Sequence, residues 1–479
     1  MKKSALLALL PLVFTTQAFA EATDEGAAHL VAVFHTYLGS AEGVVTVAVE
    51  GDAYTVTLDA APLAGMAAEA GGTASATPLV LTLTDNGDGT WGVTQDQSIT
   101  LAFAIAGQSD YTSTFGSMTF DGVFDEALMT FSSGKGEMSD AKTVQKMTDP
   151  NMGEMSVETS IASMTYEMTG AAGASGGVDG TFTMSATGYS GSVLIPASEA
   201  MPPMTIGFTI DSVLQSGPTT GLRPDAFLKA LSWVVANPSE DAMMANKAAM
   251  KTILSDGIPL FDNVTADMVA KGIAVTTPMG DVGIAEAAVL VDINGLVAEG
   301  KFREAISISG LTLPEGVIPP WAVPILPKDI SVDIQVTDFD AAAAVQVALG
   351  LFDLPAGTGP DDAFQASLLA ALMPNQTVTI GLNPGGISGD GYALTYEGSM
   401  VAGPEQPMPT GTALITLTGL DKLQAALDAA PDDIKGQAMM GVGMAQGMAK
   451  QDGDKLVWEI DASTPGTVSV NGVPMMGGN

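Results

Sequence analysis

The sequence predicts an α+β protein built of extended, curved antiparallel β-sheets with helical pairs packed on them. Three observations predict it. Apolar residues alternate with Thr, Ser or Ala over many short stretches, turn residues separate these stretches, and runs with helical spacing interrupt them. Thr23 and Asp24 are placed to cap a helix running to about Leu38, with Leu30, Val31, Phe34 and Leu38 on one face and Gly39 as its stop. Beyond it the period changes to two. Val45, Val47 and Val49 form one strand and Tyr54, Val56 and Leu58 the next, with Gly51-Asp52 as the turn. The pattern recurs at Leu79 to Leu83, Leu101 to Ile105, Phe182 to Ala186 and Ile206 to Ile210, so the region to about Ser216 reads as antiparallel sheet. Small polar residues on the off-face positions suit a long curved sheet with a half-covered outer face, or two stacked sheets.

Around Pro218 the spacing turns helical. Phe227, Leu231 and Val234 share a helix face that ends at Asn237-Pro238, and Ser239 caps a second helix with Met243, Asn246, Met250 and Ile253 as its inner stripe. Strand patterns return near Ile273 and from Val289 to Leu313. The proline-rich stretch over 314–328 is the expected connection. After it come a strand over 330–336, helices over 339–352 and 361–373, strands over 377–382 and 392–401, helices around Leu420 to Leu427 and over 432–450, and closing strands over 456–460 and 467–470. The expected organisation is thus a signal peptide (1–20), a β-rich region (21–216), a helical pair followed by strands (217–313), the connection (314–328) and a C-terminal α+β region (329–479). The two halves share an order of sheet, helix pair, sheet, as a duplication would leave.

Lys2 and Lys3, the apolar run Ala5 to Phe14 and the small-x-small end Ala18-Phe19-Ala20 are the three parts of a cleavable export signal, cut after Ala20. The apolar run is shorter than the roughly 20 residues a membrane span needs. No later window is apolar enough for one, so the expectation is a periplasmic protein without a transmembrane anchor. There is no cysteine, hence no disulfide or thiol chemistry. The chain carries 17 basic and 54 acidic residues, and loss of Lys2 and Lys3 leaves a net charge of −39. From Glu21 to Gly134 there is no lysine or arginine. Such a surface repels nucleic acid and anionic headgroups.

The side chains available limit catalysis. The two histidines, His29 and His35, lie six apart on the first helix and share no metal-binding face. Gly173-Ala174-Ser175-Gly176-Gly177 has the spelling of a nucleophile elbow, but a glycine-rich loop between strands is its setting. Ser132 to Lys135 and Ser139 to Lys142 both spell Ser-x-x-Lys, in what reads as a loop with no Lys-Thr-Gly partner. Asp85-Asn86-Gly87-Asp88-Gly89 reads as a hairpin turn before a calcium loop, because two alternate positions are glycine. Among 27 methionines, Met440, Met444 and Met448 form an i, i+4, i+8 stripe with Gly441, Gly443 and Gly447 between them. Core packing competes here with an adaptable apolar groove, and the groove reading makes these three residues the candidate ligand contacts. No catalytic residue, cofactor or metal is expected.

Val275-Thr276-Thr277-Pro278-Met279-Gly280, Ile325-Leu326-Pro327-Lys328-Asp329-Ile330-Ser331-Val332-Asp333, Gly419-Leu420-Asp421 and Val468-Ser469-Val470-Asn471-Gly472 resemble an exported alphaproteobacterial family catalogued as domain of unknown function 2125. More distantly, the long strands and the closing Asn-Gly strand are similar to the periplasmic YdgA-like family. The resemblance implies a β-rich envelope protein and brings no catalytic residue. The functional expectation is a non-enzymatic envelope protein that binds an apolar or amphiphilic ligand such as a lipid. The alternative is a structural or protein-interaction scaffold with an envelope protein as partner.

Overall fold

The computed structural model describes residues 21–61, 71–149, 153–197, 202–237, 239–355, 359–406 and 408–476; the expected export signal over 1–20 lies outside them. Among these residues twenty-one strands form one antiparallel sheet. It begins with the short strands β1 (Val45–Glu50), β2 (Ala53–Leu58), β3 (Gly72–Ala76) and β4 (Leu79–Asp85). The long strands follow: β5 (Thr90–Ile105), β6 (Ser109–Asp125), β7 (Thr130–Asp149), β8 (Gly153–Ala172), β9 (Val178–Ile195), β10 (Met204–Leu222), β11 (Asn263–Thr277) and β12 (Gly280–Asn294). Then come β13 (Gly300–Ser309), β14 (Asp329–Phe339), β15 (Val378–Gly389), β16 (Tyr392–Ala402) and β17 (Thr410–Thr418). The last four are β18 (Lys450–Asp452), β19 (Lys455–Asp461), β20 (Val468–Val470) and β21 (Val473–Met476). At 20 residues, β7 and β8 are each about 65 Å long.

From β5 to β17 each strand pairs with the next in sequence. At the start β1 pairs with β2 and β2 with β4, while β3 and β4 lie end to end along β5. At the finish β17 pairs with β19, which carries β18 and β20 on its other side. The proline-rich stretch joins β13 to β14, and these strands pair with each other from Gly300–Phe339 to Ile308–Ile330, so the ladder runs on across it. The sheet is open. The chain exposes 27622 Å², against roughly 17,000 Å² for a compact monomer of 48.6 kDa. Apolar strand residues are exposed on both faces of the sheet, Leu214 at 46% on one and Met268 at 40% on the other.

A line of broken pairing crosses the long strands. Gly116 on β6 stands opposite Asp140 on β7, and the line continues through Ala162, Gly188, Asp211, Gly272 and Ala285 on β8 to β12, with the register kept on both sides. Asp140, Gly188 and Gly272 have φ of 51°, 63° and 63°, and Gly310, just past β13, has 66°. Each strand carries one extra residue here. The apolar alternation accordingly moves by three instead of two, from Met138 to Ala141, from Met164 to Ile161 and from Ala186 to Tyr189. Stacked bulges of this kind bend and twist a sheet. Four of the facing pairs share a steric feature. Gly116 faces Asp140, Ala162 faces Gly188, Asp211 faces Gly272 and Ala285 faces Gly310, so one member of each of these four pairs lacks a Cβ, whereas Asp140 and Ala162, opposed on β7 and β8, both carry one. A Cβ on Gly116 would lie 2.9 Å from that of Asp140, and one on Gly188 would lie 2.8 Å from that of Ala162.

The helices cap the sheet at its two ends. At one end lie α1 (Asp24–Leu38), α2 (Pro224–Ala236), α3 (Glu240–Ala245), α4 (Lys247–Gly257), α5 (Ala341–Ala348) and α6 (Asp362–Leu372). Helix α1 packs on β1 and α2, α2 on α4, and α4 on the 3-10 turn Leu349–Asp353, which leads through α5 to α6. At the other end α7 (Leu420–Asp428) packs on α8 (Asp432–Met448) and on the turn Val323–Ile325, where the Tyr392 hydroxyl donates to the Ile325 carbonyl at 2.8 Å. The expected cap of α1 is present: Thr23 Oγ1 accepts from the Gly26 N–H at 3.0 Å, and Gly39 ends the helix with φ 89°.

Four local readings are corrected. The helix expected from Ser239 breaks at Asn246, whose amide bonds to Asn237 Oδ1 at 2.6 Å. The helix expected from Phe339 begins at Ala341, because Phe339 still pairs with Gly300 as the last residue of β14. The Phe227, Leu231 and Val234 stripe faces outward at 49%, 45% and 42% exposure, and the neighbouring Ala226 is the buried residue of α2. The stretch over 132–142 is the middle of β7, and its lysines pair with acids across the ladder, Lys142 with Glu158 at 3.5 Å.

On the polar face Arg303 grips Asp333 through Nε at 3.0 Å and Nη2 at 2.6 Å, and Asn383 donates to the same carboxylate at 2.8 Å. The Arg303 and Asn383 hydrogen bonds hold Asp333 below the ordinary aspartate value of 3.8, against the opposing effect of burial. A depressed carboxylate contributes stability above its unfolded pKa and loses it as pH falls through the folded value. Asp333→Asn therefore lowers the urea midpoint at neutral pH, and the gap from the wild type closes below 3.8. A gap that stays constant into acid would show that the charge of Asp333 contributes nothing.

Candidate functional site

In-register partners on an antiparallel sheet share a face, and one row of partners is apolar almost throughout. It runs Met118, Met138, Met164, Ala186, Val213, Ala270, Ala287, Ile308, Ile330, Ile387, Leu394, Leu417 and Leu456, one residue from each successive paired strand from β6 to β19. Two residues along each strand a second row on the same face carries Phe120, Gly136, Tyr166, Met184, Gln215, Met268, Val289, Ile306 and Val332. Glycine keeps this surface shallow: Phe120 and Tyr166 stack at 6.1 Å over Gly136, which has no side chain to part them. Together the rows make an apolar band across the sheet. Part of it is open to solvent, with Met268 at 40% and Ile306 at 43% exposure.

At the α1 end the same face bounds a cavity of about 530 Å³. Its floor is Leu81 and Leu83 of β4, Trp91 and Val93 of β5, and Phe124 and Phe131 of β6 and β7. Leu30, Val33, Phe34 and Tyr37 of α1 roof it, and Leu228 of α2 closes one side. The main cluster of buried residues, Leu30, Tyr54, Val56, Leu83 and Val93 among them, holds α1 on the sheet beside it. Its polar lining residues are the exposed His29 and Glu126 and the half-buried Tyr37, and Glu126 Oε1 accepts from Trp91 Nε1 at 2.7 Å. Phe131 lies 5.0 Å from Phe120, centroid to centroid, so the aromatic floor continues into the band. Gln95, 8% exposed and two residues beyond Val93, has an Nε2 without a partner among the described residues. A cavity of this size and lining accommodates a drug-sized or single-chain apolar molecule.

The structure separates the predicted methionines from this site. Met440 and Met444 project from α8 at 68% and 63% exposure, Met448 is half-buried, and none of the three lines the cavity. Packing into a core does not explain the first two. The methionines of the band are Met118, Met138, Met164, Met184 and Met268, which helical spacing could not find because strand register brings them together. Ser175 sits in the β8–β9 turn and donates to Asp262 Oδ2 at 2.6 Å, while Arg223 holds the other carboxylate oxygen at 3.0 Å. That cluster ties a turn to the start of β11 and lacks the histidine a serine nucleophile would use. Asp85 and Asp88 cap the β4–β5 hairpin by accepting from the Gly87 and Thr90 N–H groups at 2.7 and 3.1 Å. No group of three or more acidic or histidine side chains able to hold a metal ion occurs among the described residues. No described helix is long and apolar enough to cross a membrane.

Fold and site define an open antiparallel-sheet protein with an apolar band that ends in a helix-roofed cavity. The chain matches no family model, no curated protein and no solved structure.

Proposed function

We propose that the protein is a non-catalytic binding protein of the bacterial periplasm that holds an apolar or amphiphilic ligand of the lipid class. The cavity under α1 carries this reading: its walls are mostly aliphatic and aromatic, two of its three polar residues, His29 and Glu126, are exposed, and its floor runs into the band. An acyl chain lying there removes apolar surface of both partners from water, at about 25 cal/mol per Å² before the cost of ordering the ligand. Native mass spectrometry of protein purified from its own periplasm tests it. A stoichiometric adduct that vanishes on organic extraction, and is absent from Val33→Trp, which fills the cavity from its roof, is the expected result. A bare mass in both proteins, together with no uptake of decanol by the extracted wild type, would reject it.

The outward Phe227, Leu231 and Val234 stripe of α2 favours a second reading, a scaffold that docks another envelope protein. Discrete hetero-oligomers in the same spectra, lost in Phe227→Ser, would support that class instead.

A further inference from the structure

The charge around the cavity discriminates between kinds of amphiphile. Glu126 is the one acidic residue among the lining side chains, and no lysine or arginine joins it. From Glu21 to Gly134, the stretch that builds all of the lining except Leu228, the sequence holds no lysine or arginine, and His29 is the one imidazole in the lining. The neighbouring basic residue on α2, Lys229, is engaged by Asp225 at 3.0 Å. Of the fully charged side-chain types only a carboxylate, Glu126, therefore stands in the lining, beside the imidazole of His29, and a carboxylate or phosphate head finds no lysine or arginine there to pair with. The lining also presents Phe34, Tyr37, Trp91, Phe124 and Phe131, whose ring faces attract cations. The Trp91–Glu126 hydrogen bond at 2.7 Å fixes an indole and a carboxylate side by side.

Resting on the binding function proposed above, we infer that the ligand is a cationic amphiphile, an alkyl amine or quaternary ammonium. Its head lies against Glu126 and the aromatic rings, and its tail lies in the cavity. Neither partner alone would suffice. An exposed carboxylate attracts an ion only weakly in water, but an ammonium seated on aromatic faces is partly desolvated, and there the two attractions act together.

The test compares decyltrimethylammonium, decanol and decanoate, each below its micelle concentration, by calorimetric titration of the extracted full-length protein. The ammonium compound should bind about tenfold more tightly than decanoate. Glu126→Gln, which keeps an acceptor for Trp91 and leaves the rest of the acidic surface in place, should lower the ratio of ammonium to decanol affinity severalfold. Decanoate binding as tightly as the ammonium compound would overturn the inference, and so would a ratio unchanged in Glu126→Gln. Binding of decanol with no ammonium preference refutes the head-group assignment alone. Failure of all three to bind refutes the binding function itself.

Discussion

Valine in place of Gly188 destabilises the protein by about 2–4 kcal/mol, combining the cost of a β-branched residue in the left-handed region with a clash in the sheet. Gly188 has φ 63°, and a Cβ there would lie 2.8 Å from that of Ala162 on the neighbouring strand. The close approach of these two positions makes a sharper claim. Gly116 and Asp140 show the opposite arrangement, a left-handed aspartate facing glycine. Gly188→Asp alone should thus be strongly destabilising, while Gly188→Asp with Ala162→Gly recovers much of the loss, because the double variant reproduces the pair found on β6 and β7. A double-mutant cycle from urea midpoints measures this coupling. Gly441→Ala on α8 is the control, since nothing lies within 4 Å of the added methyl; it should stabilise by up to about 1 kcal/mol. If the two changes at 162 and 188 simply add, the strands are not in contact along that line.

The sequence was readable where the determinants are local. Thr23, Asp24 and Gly39 mark both ends of α1 because caps are short-range chemistry, and Asp85 to Gly89 mark their hairpin for the same reason. The interior of β7 was not readable. Its Ser, Gly and Lys residues suit a strand only because Phe120 and Tyr166 lie across the glycines and acids meet the lysines, and these partners are fixed by register. The bulge line hides the sheet further. A single added residue per strand shifts the alternation, so period-two counting loses phase in the middle of each long strand. The cavity was not legible as a place, because its lining is gathered by strand pairing. The methionine stripe of α8 was legible because helical spacing is local. The cavity draws on α1, β4 to β7 and α2, segments separated by up to about two hundred residues, and only the pairing order brings them together.

Tyr54→Ala should remove about 3–5 kcal/mol of stability and abolish the cavity with it. Tyr54 is 4% exposed on β2, and its ring lies 6.1 Å from that of Trp91, part of the cavity floor. Its hydroxyl accepts the Thr23 N–H at 3.0 Å, just where α1 begins, and a Cβ on Gly26 would fall on that hydroxyl. One side chain thus sets both the height and the start of the helix that roofs the site. Alanine leaves a hole beneath α1 and strands the Thr23 N–H, so the roof loses its seat. Phenylalanine keeps the ring and gives up only the hydrogen bond, a loss of about 1 kcal/mol. The two variants therefore separate packing from polarity. Decanol titration together with urea unfolding should show Tyr54→Phe binding as the wild type does, and Tyr54→Ala failing to bind under conditions where it remains folded. Were folded Tyr54→Ala to bind decanol with unchanged affinity, the ligand would have to lie on the open band, and α1 would be a structural cap with no part in holding it.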